Sequence, residues 1–554
     1  MDDVGGRGGG RIPSEELGIQ INFCKNPECS NFGVPASSER QPRSRGNKVQ
    51  DTYRIGGGTS KLRNAPVLNC LLCGETPPIK SNLGIAEEMG RMLAYLRPCA
   101  SPVCPDQECS NHAIGVGGER GHYRKYGTTR SGSVRYLCRA CGKTFSFGKP
   151  TLQQRLPHKN VQILTMLVNK VPLRRICEIV EISPRTLYRK IDFLSQQLTI
   201  FAADRERHLL EGRIDLDRLY ISVDRQDHLI NWTQRKDKRN TQLSAIGSAD
   251  NRSGYVFGIH LNYDPDLNPK GVEAEAKQIG DFDLRPPYRR FARVWLSADL
   301  PEALQQRAEE KRKTKELAVD LGLDGEIRRA YKNAEARDDI EVFDLPEETH
   351  KLPGRGMQIH AEYTVYGHFH FLHQLLRKVG KIRFFLDQES GIRAACLGAF
   401  RKQIQARTCD AFYVRINKTL TVNQKRKIMA DLREQMDVLR VLHPYDLSDT
   451  SLRRMMIADN LKKEKREGPW QDRWVEVPSP SMSEPEKQVC HLTDYGDYSI
   501  DHLAALMDTA SLHGIDRFFM QVRRLLSPME RPIRTASNSG RVWHHIIRVF
   551  WESC

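Results

Sequence analysis

KIRFFLDQESG, residues 381–391, reads as a short buried strand that stops on a carboxylate. Ile382, Phe384, Phe385 and Leu386 put apolar groups on both faces, the pattern of a sheet strand covered by helices. A charge delivered to the end of such a strand, by Asp387, calls for a partner. Upstream, LYISVD (219–224) has the same shape, with Leu219, Ile221 and Val223 on one side and Tyr220, Ser222 and Asp224 on the other. Two strands, each bringing one aspartate, suit a shared divalent metal.

Working outward, residues 241–249 and 255–263 read as strands around the polar turn DNRSG, 250–254. A helix is expected over 360–379, another over 391–407, a strand over 410–416 and a helix over 421–439. This order predicts an α/β sheet of mixed strand direction. A charged insertion falls near 264–356, with 308–339 helical, and an irregular, proline-bearing one near 440–498. A last helix is expected over 499–526, with Ile515, Phe518, Phe519, Val522 and Leu526 as its buried stripe. His360, His368, His370 and His373 do not put three ligands and a carboxylate on one helical face, so they read as packed or surface residues. From Asp204 to Leu219 a charged connector is expected.

The chain of 554 residues is multidomain by length, and its 86 Lys+Arg against 69 Asp+Glu leave a net charge of +17, an excess that attracts a polyanion, nucleic acid first. The sequence shows no bilayer-length apolar run and no signal-peptide pattern at its start, so no membrane is expected and a cytoplasmic, nucleoid-associated location is. Fourteen cysteines in a reducing compartment point to metal.

Their spacing repeats. Cys24 and Cys29, then Cys70 and Cys73, are echoed by Cys104 and Cys109, then Cys138 and Cys141, and CKNPECSN (24–31) matches CPDQECSN (104–111) almost residue for residue. Two four-thiolate sets with paired spacing predict two structural Zn²⁺ sites in duplicated zinc ribbons, at 1–95 and 96–150. Cys99 and His112 compete in position, but the repeat leaves them as spectators. The basic, aromatic linker 120–139 can lie along a phosphate backbone or form a solvated hairpin.

Residues 151–205 hold three apolar patterns of helical period. Ser183 and Pro184 form an N-cap and first turn about three residues beyond the second helix, which predicts a helix-turn-helix whose recognition helix offers Arg185, Thr186, Arg189 and Lys190 to DNA. The remainder, 206–554, is the α/β domain. Its third acid is expected at Asp516, with Glu389, Asp227, Asp501 and Asp508 as rivals, and Arg523 and Arg524 lie one to two turns further, able to hold a DNA strand.

The ribbon, the helix-turn-helix, the strand aspartate, FFLDQESG and DRFFMQVRR followed by RP resemble, in that order, the DDE-type transposases of bacterial insertion sequences. The resemblance implies an RNase H-like core, two Mg²⁺ (or Mn²⁺) held by Asp224, Asp387 and Asp516, binding to terminal inverted repeats and target DNA as double strands, cleavage and strand transfer by a 3′ hydroxyl, and a homodimer or larger assembly on DNA. Asp516 departs from the family's usual glutamate. Two other readings stand beside it: a non-catalytic DNA-binding regulator derived from a transposase, and an RNase H-like nuclease without strand transfer.

Overall fold

The computed structural model describes residues 11–38, 52–57, 66–97, 102–116, 121–130, 132–146, 151, 154–231, 237, 239–301, 303–304, 323–335, 350–389, 391–443, 447–463, 465–468, 471–525 and 533–534. It is a multidomain α/β protein. The first cysteine unit has an antiparallel pair, β1 (Tyr53–Gly57) and β2 (Pro66–Cys70), and helix α1 (Asn82–Leu93), whose Gly84 N–H donates to the Ser81 hydroxyl at 3.2 Å. The second has three antiparallel strands, β3 (Tyr123–Thr128), β4 (Val134–Cys138) and β5 (Thr144–Ser146). Helices α2 (Asn160–Val168), α3 (Leu173–Val180) and α4 (Pro184–Leu210) follow. Ser183 caps α4 as its sequence predicts, accepting the Thr186 N–H at 3.2 Å.

The first half of the expected connector, 204–210, is instead the last part of α4, and 211–217 links it to the sheet. Ala203 and Leu209 return at helical spacing to bury in the main core, and the charge between them, Glu206, is buried too, its carboxylate accepting from the Tyr95 hydroxyl and, at 3.0 Å, the Tyr255 hydroxyl. A charge-rich surface pattern concealed a buried stripe.

The large sheet begins with β6 (Arg218–Asn231), β7 (Thr241–Asp250) and β8 (Val256–Leu261), an antiparallel meander. A minor pair, β9 (Tyr263–Asp264) and β10 (Met357–Gln358), encloses the charged insertion, in which α5 (Pro269–Gln278) and α6 (Leu323–Glu335) form. The rest of the predicted helix 308–339 lies outside the described residues. Helix α7 (Ala361–Leu375) leads to β11 (Lys381–Asp387), and α8 (Ile392–Ala399) and α9 (Arg401–Gln405) lead to β12 (Cys409–Ile416). After α10 (Val422–Leu442) and α11 (Asp449–Leu461) come β13 (Lys465–Glu467), β14 (Asp472–Glu476) and β15 (Lys487–His491), then α12 (Ile500–Thr509), α13 (His513–Leu525) and β16 (Ile533–Arg534).

The nine described strands run β13-β14-β15-β12-β11-β6-β7-β8, with β16 also beside β6. Strands β6, β11 and β12 are mutually parallel, and β15 is antiparallel to β12. The region expected as an irregular insertion, 440–498, therefore supplies one end of the main sheet. Lys487 and Gln488, buried in β15, broke the apolar alternation that would have announced a strand. The expected single last helix is two, α12 and α13.

The strand alternation sorts two cores. Leu219, Ile221, Val223, Phe384 and Leu386 face α1, α7 and α8, whereas Tyr220, Phe385, Phe412 and Val489 face α11 and α12. Helix α13 lies across β6 and β7, and its Ile515, Phe518, Phe519 and Val522 share a third apolar cluster with Leu243, Ala245 and the inner faces of α2–α4. Contact is close at Gly247, where a Cβ would come within 2.7 Å of Ile515 Cδ1 and 3.1 Å of the Phe519 ring. The four histidines of the α7 region pack within the fold, with His368 Nδ1 2.7 Å from His260 Nδ1, and none joins a cluster of potential metal ligands among the described residues.

Two outcomes test this packing. Gly247→Val overpacks the α13 seat, costing about 1–3 kcal/mol, and is expected to speed amide exchange across 515–522 without affecting the second cysteine unit. Burial pushes the Glu206 carboxyl up to about 7, so the folded state holds its proton more tightly than the unfolded chain does. The stability this gives is full below the unfolded value near 4.5 and is lost as pH rises through about 7; thermal melts should show that loss in the native protein and a flatter profile in Glu206→Gln.

Candidate functional site

The paired cysteines converge as their spacing predicts. Cys24 and Cys73 sulfurs are 3.4 Å apart and Cys29 and Cys70 3.7 Å; in the second unit Cys104 and Cys141 are 3.4 Å apart and Cys109 and Cys138 3.7 Å. A Zn–S bond of about 2.3 Å in a tetrahedron requires sulfurs about 3.8 Å apart, and the four sulfurs of each set lie within 4.8 Å of one another, so both sets are compatible with zinc. The surroundings are duplicated as well. Asn31 Nδ2 donates to Cys70 Sγ and Asn111 Nδ2 to Cys138 Sγ, each at 3.3 Å. Tyr53 OH accepts the Cys24 N–H at 2.9 Å, and Tyr123 OH accepts the Cys104 N–H at 3.0 Å. These donors and tyrosines hold the thiolates in place. His112 Nδ1 is 2.7 Å from the Cys104 carbonyl oxygen and stands outside the metal set; Cys99 lies outside the described residues.

The two aspartates also meet. β11 pairs with β6 in parallel, Leu386 opposite Val223, which leaves Asp387 and Asp224 next along neighbouring strands and on the face of the stacked Tyr220 and Phe385 rings. Asp387 ends β11 as expected. Asp224 does not end its strand: β6 runs on to Asn231 through RQDHLIN, a polar stretch that carries no apolar run but pairs residue by residue with β7. Each aspartate accepts the N–H of the next residue, Arg225 to Asp224 at 2.7 Å and Gln388 to Asp387 at 2.8 Å.

Glu389 joins them. Oxygens of Asp224, Asp387 and Glu389 all lie within 4.8 Å of one another, a set of hard donors suited to a divalent cation. Asp516, in the first turn of α13, lies near enough to Asp224 and Asp387 for their charges to act on one another, although it is not in the tighter trio. Burial, reinforced by Asp387 and Glu389, drives the Asp224 carboxyl well above the usual range; burial raises Glu389 and Asp516 too, against the pull of Arg225 and Lys418 respectively. Carboxyls crowded in this way hold protons until a cation relieves them.

Asp516 is seated by two polar residues of the sheet. The Ile515 N–H donates to Ser222 Oγ and the Gly514 N–H to Asn251 Oδ1, both at 3.0 Å, while Asn251 Nδ2 donates to the Ser511 carbonyl at 2.7 Å. A Cβ on Gly514 would meet Asn251 Oδ1 at 2.6 Å. Of the rivals, only Glu389 reaches the site: Asp227 is exposed and accepts from Gln242 at 2.9 Å, Asp501 is exposed at the start of α12, and Asp508 pairs with Arg453 at 3.2 Å and Arg454 at 3.5 Å.

Three cations that sequence reading passed over complete the site. Arg225 Nε is 2.5 Å from Glu389, Arg415 Nη1 3.8 Å from Asp387, and Lys418 Nζ 3.7 Å from Asp387. Arg415 and Lys418 could have been noticed, because they sit at the carboxyl end of the strand following the Asp387 strand, where open α/β sheets place ligand contacts.

No family model matches the chain, and no curated protein matches it significantly. The site thus stands on its own geometry.

Of the residues expected to touch DNA, Arg185 and Arg189 are exposed on α4, and Thr186 is half-buried beside its cap, its hydroxyl 3.0 Å from that of Ser183. Lys190 is a correction. It is 2% exposed, and its ammonium donates to the Leu156 carbonyl at 3.0 Å and Asn160 Oδ1 at 2.7 Å, because four residues of helix turn through about 400° and set it about 40° beyond Thr186, toward the buried Leu187 and Leu194. Arg523 and Arg524 are exposed in the last turn of α13, about 10 Å along the axis from Asp516. No described helix is long and apolar enough to cross a membrane.

Elemental analysis of the purified chain is expected to find two zinc equivalents, falling to one in Cys138→Ser; two equivalents in that variant would show that Cys138 is not a ligand.

Proposed function

We propose that the chain is a DNA transposase of the DDE type, in which Asp224, Asp387 and Asp516 hold divalent magnesium or manganese against a DNA phosphate. One observation carries the reading: two buried aspartates lie side by side on neighbouring parallel strands, with Glu389 and Asp516 beside them and, among the described residues, three cations, Arg225, Arg415 and Lys418, against these four acids. A meander β6–β7–β8 joined through helical crossovers to parallel β11 and β12 supports an RNase H-like core. Asp516 is the third ligand in this reading, with Glu389, which lies within 4.8 Å of both aspartates but is paired with Arg225, as its alternative.

When bound, such cations activate a water or a 3′ hydroxyl and offset charge on the leaving oxygen. The chain's own residues do the rest. Ser222 and Asn251 fix α13 so that Asp516 faces Asp224. Arg523 and Arg524 stand exposed on the same helix to hold a strand. Helices α3 and α4, separated by 181–183, serve as the helix-turn-helix, with Arg185, Thr186 and Arg189 toward the inverted repeat and the exposed strand β3 along the backbone. Joining two ends calls for a homodimer or larger assembly.

One observation favours a non-catalytic regulator: Lys418 and Arg415 both lean on Asp387 and reduce the charge available to metal.

The test uses duplexes from the DNA flanking the coding sequence. Native protein should cleave them with Mg²⁺ and yield strand-transfer product, and Asp387→Asn should cut cleavage by about a hundredfold or more while binding is kept. Cleavage without transfer product would make it a nuclease. Binding without any cleavage would make it a regulator.

A further inference from the structure

Lys418 has an unusual position for a lysine with no fixed partner geometry. It follows β12, and the chain on both sides is anchored: the Asn417 N–H donates to the Glu486 carbonyl at 3.1 Å, Asn417 Nδ2 to Glu486 Oε2 at 2.8 Å, and the Thr419 N–H and hydroxyl donate to Asn417 Oδ1 at 3.0 and 2.7 Å. Only the side chain is left to move, and it is 63% exposed. Its ammonium, 3.7 Å from Asp387 Oδ2, lies in the field of Asp224, Asp516 and Glu389 as well. The other two cations at the site are tethered. Arg225 is bonded to Glu389 with its side chain 7% exposed, and Arg415 donates to Glu326 at 3.1 Å.

We propose that Lys418 is the resting counter-ion of the acid cluster and, displaced when a divalent cation enters, becomes a contact for the DNA phosphate at that site. The inference rests on the metal reading given above and adds a coupling to it. Cation and ammonium compete for the same carboxylates, so filling the site frees the ammonium for phosphate. By reciprocity, a phosphate that captures the ammonium strengthens the cation's hold. A long, flexible monovalent side chain suits this exchange better than an arginine locked in a two-point pair.

The experiment titrates Mn²⁺ into the zinc-replete full chain and reads free Mn²⁺ by electron paramagnetic resonance, with and without a short duplex. Without DNA, Lys418→Met should bind Mn²⁺ about ten- to thirty-fold more tightly than native protein, the effect of removing one unit charge about 4–6 Å from a divalent ion in a water-accessible site. The factor by which DNA tightens Mn²⁺ should shrink in the same variant. Lys418→Arg, which keeps the charge, should stay near native affinity, and Lys425→Met, which removes a charge from α10 that does not face the acids, should change little. Unchanged affinity in Lys418→Met, or an equal gain in Lys425→Met, would overturn the proposal. Asp387→Asn separates the two levels: if it loses Mn²⁺ while Lys418→Met is unaltered, only the counter-ion role fails, and if it binds Mn²⁺ as native protein does, the metal site itself fails.

Discussion

The parallel pairing of β6 with β11 is the constraint on which the molecule turns. A parallel neighbour cannot be reached by a hairpin, so the chain must leave the sheet and return. Here it does so through β7, β8, the charged insertion and α7 before β11 takes its place at the open edge of β6. The register that results sets two carboxylates in contact range inside a largely apolar sheet, an arrangement that folding alone would avoid. The repulsion is tolerated because Arg225, Arg415 and Lys418 converge on it. Their charge is bound to particular acids, however, and Asp224 has no cation of its own within ion-pair distance among the described residues; its carboxylate accepts only the Arg225 backbone N–H, at 2.7 Å, among the described hydrogen bonds.

Much of this was legible in the residues. Apolar runs that end in aspartate, Ser-Pro at the start of α4 and the repeated CSN pattern each encode a local rule: burial on both faces, N-capping and thiolate pairing. Those rules hold because the physics behind them is local. What escaped was set by tertiary contact. Ser222 and Asn251 look like ordinary strand and turn residues, and only the arrival of α13 makes them its anchors. β15 hides its strand character behind Lys487 and Gln488, whose polar ends find partners: Lys487 donates to the Ala510 carbonyl at 2.8 Å, and Gln488 to Asp324 at 2.6 Å. Lys190 lay on the face expected to be exposed, but the bundle had a carbonyl and an amide oxygen to offer it.

The two cysteine units show how one local chemistry can be put to different uses. In the first, Phe23 and Phe32 belong to the main core, the Arg401 guanidinium sits 5.0 Å over the Phe23 ring and donates to the Gln20 carbonyl at 2.9 Å, and Lys80 pairs with Glu362 of α7. In the second, β3 is largely exposed and β4 half-buried. Zinc in the first unit would brace the sheet domain. In the second it would hold the three-stranded sheet β3–β5.

Helix α4 is a rod 27 residues long, about 40 Å from end to end. Leu187, Ile191 and Leu194 belong to the apolar cluster of the helical unit, whereas Ala203 and Leu209 belong to that of the sheet. With no hinge between those halves, the helix acts as a ruler. One residue added to its middle would lengthen the span by only about 1.5 Å, yet would swing one end about 100° relative to the other, so phase along this rod matters more than distance.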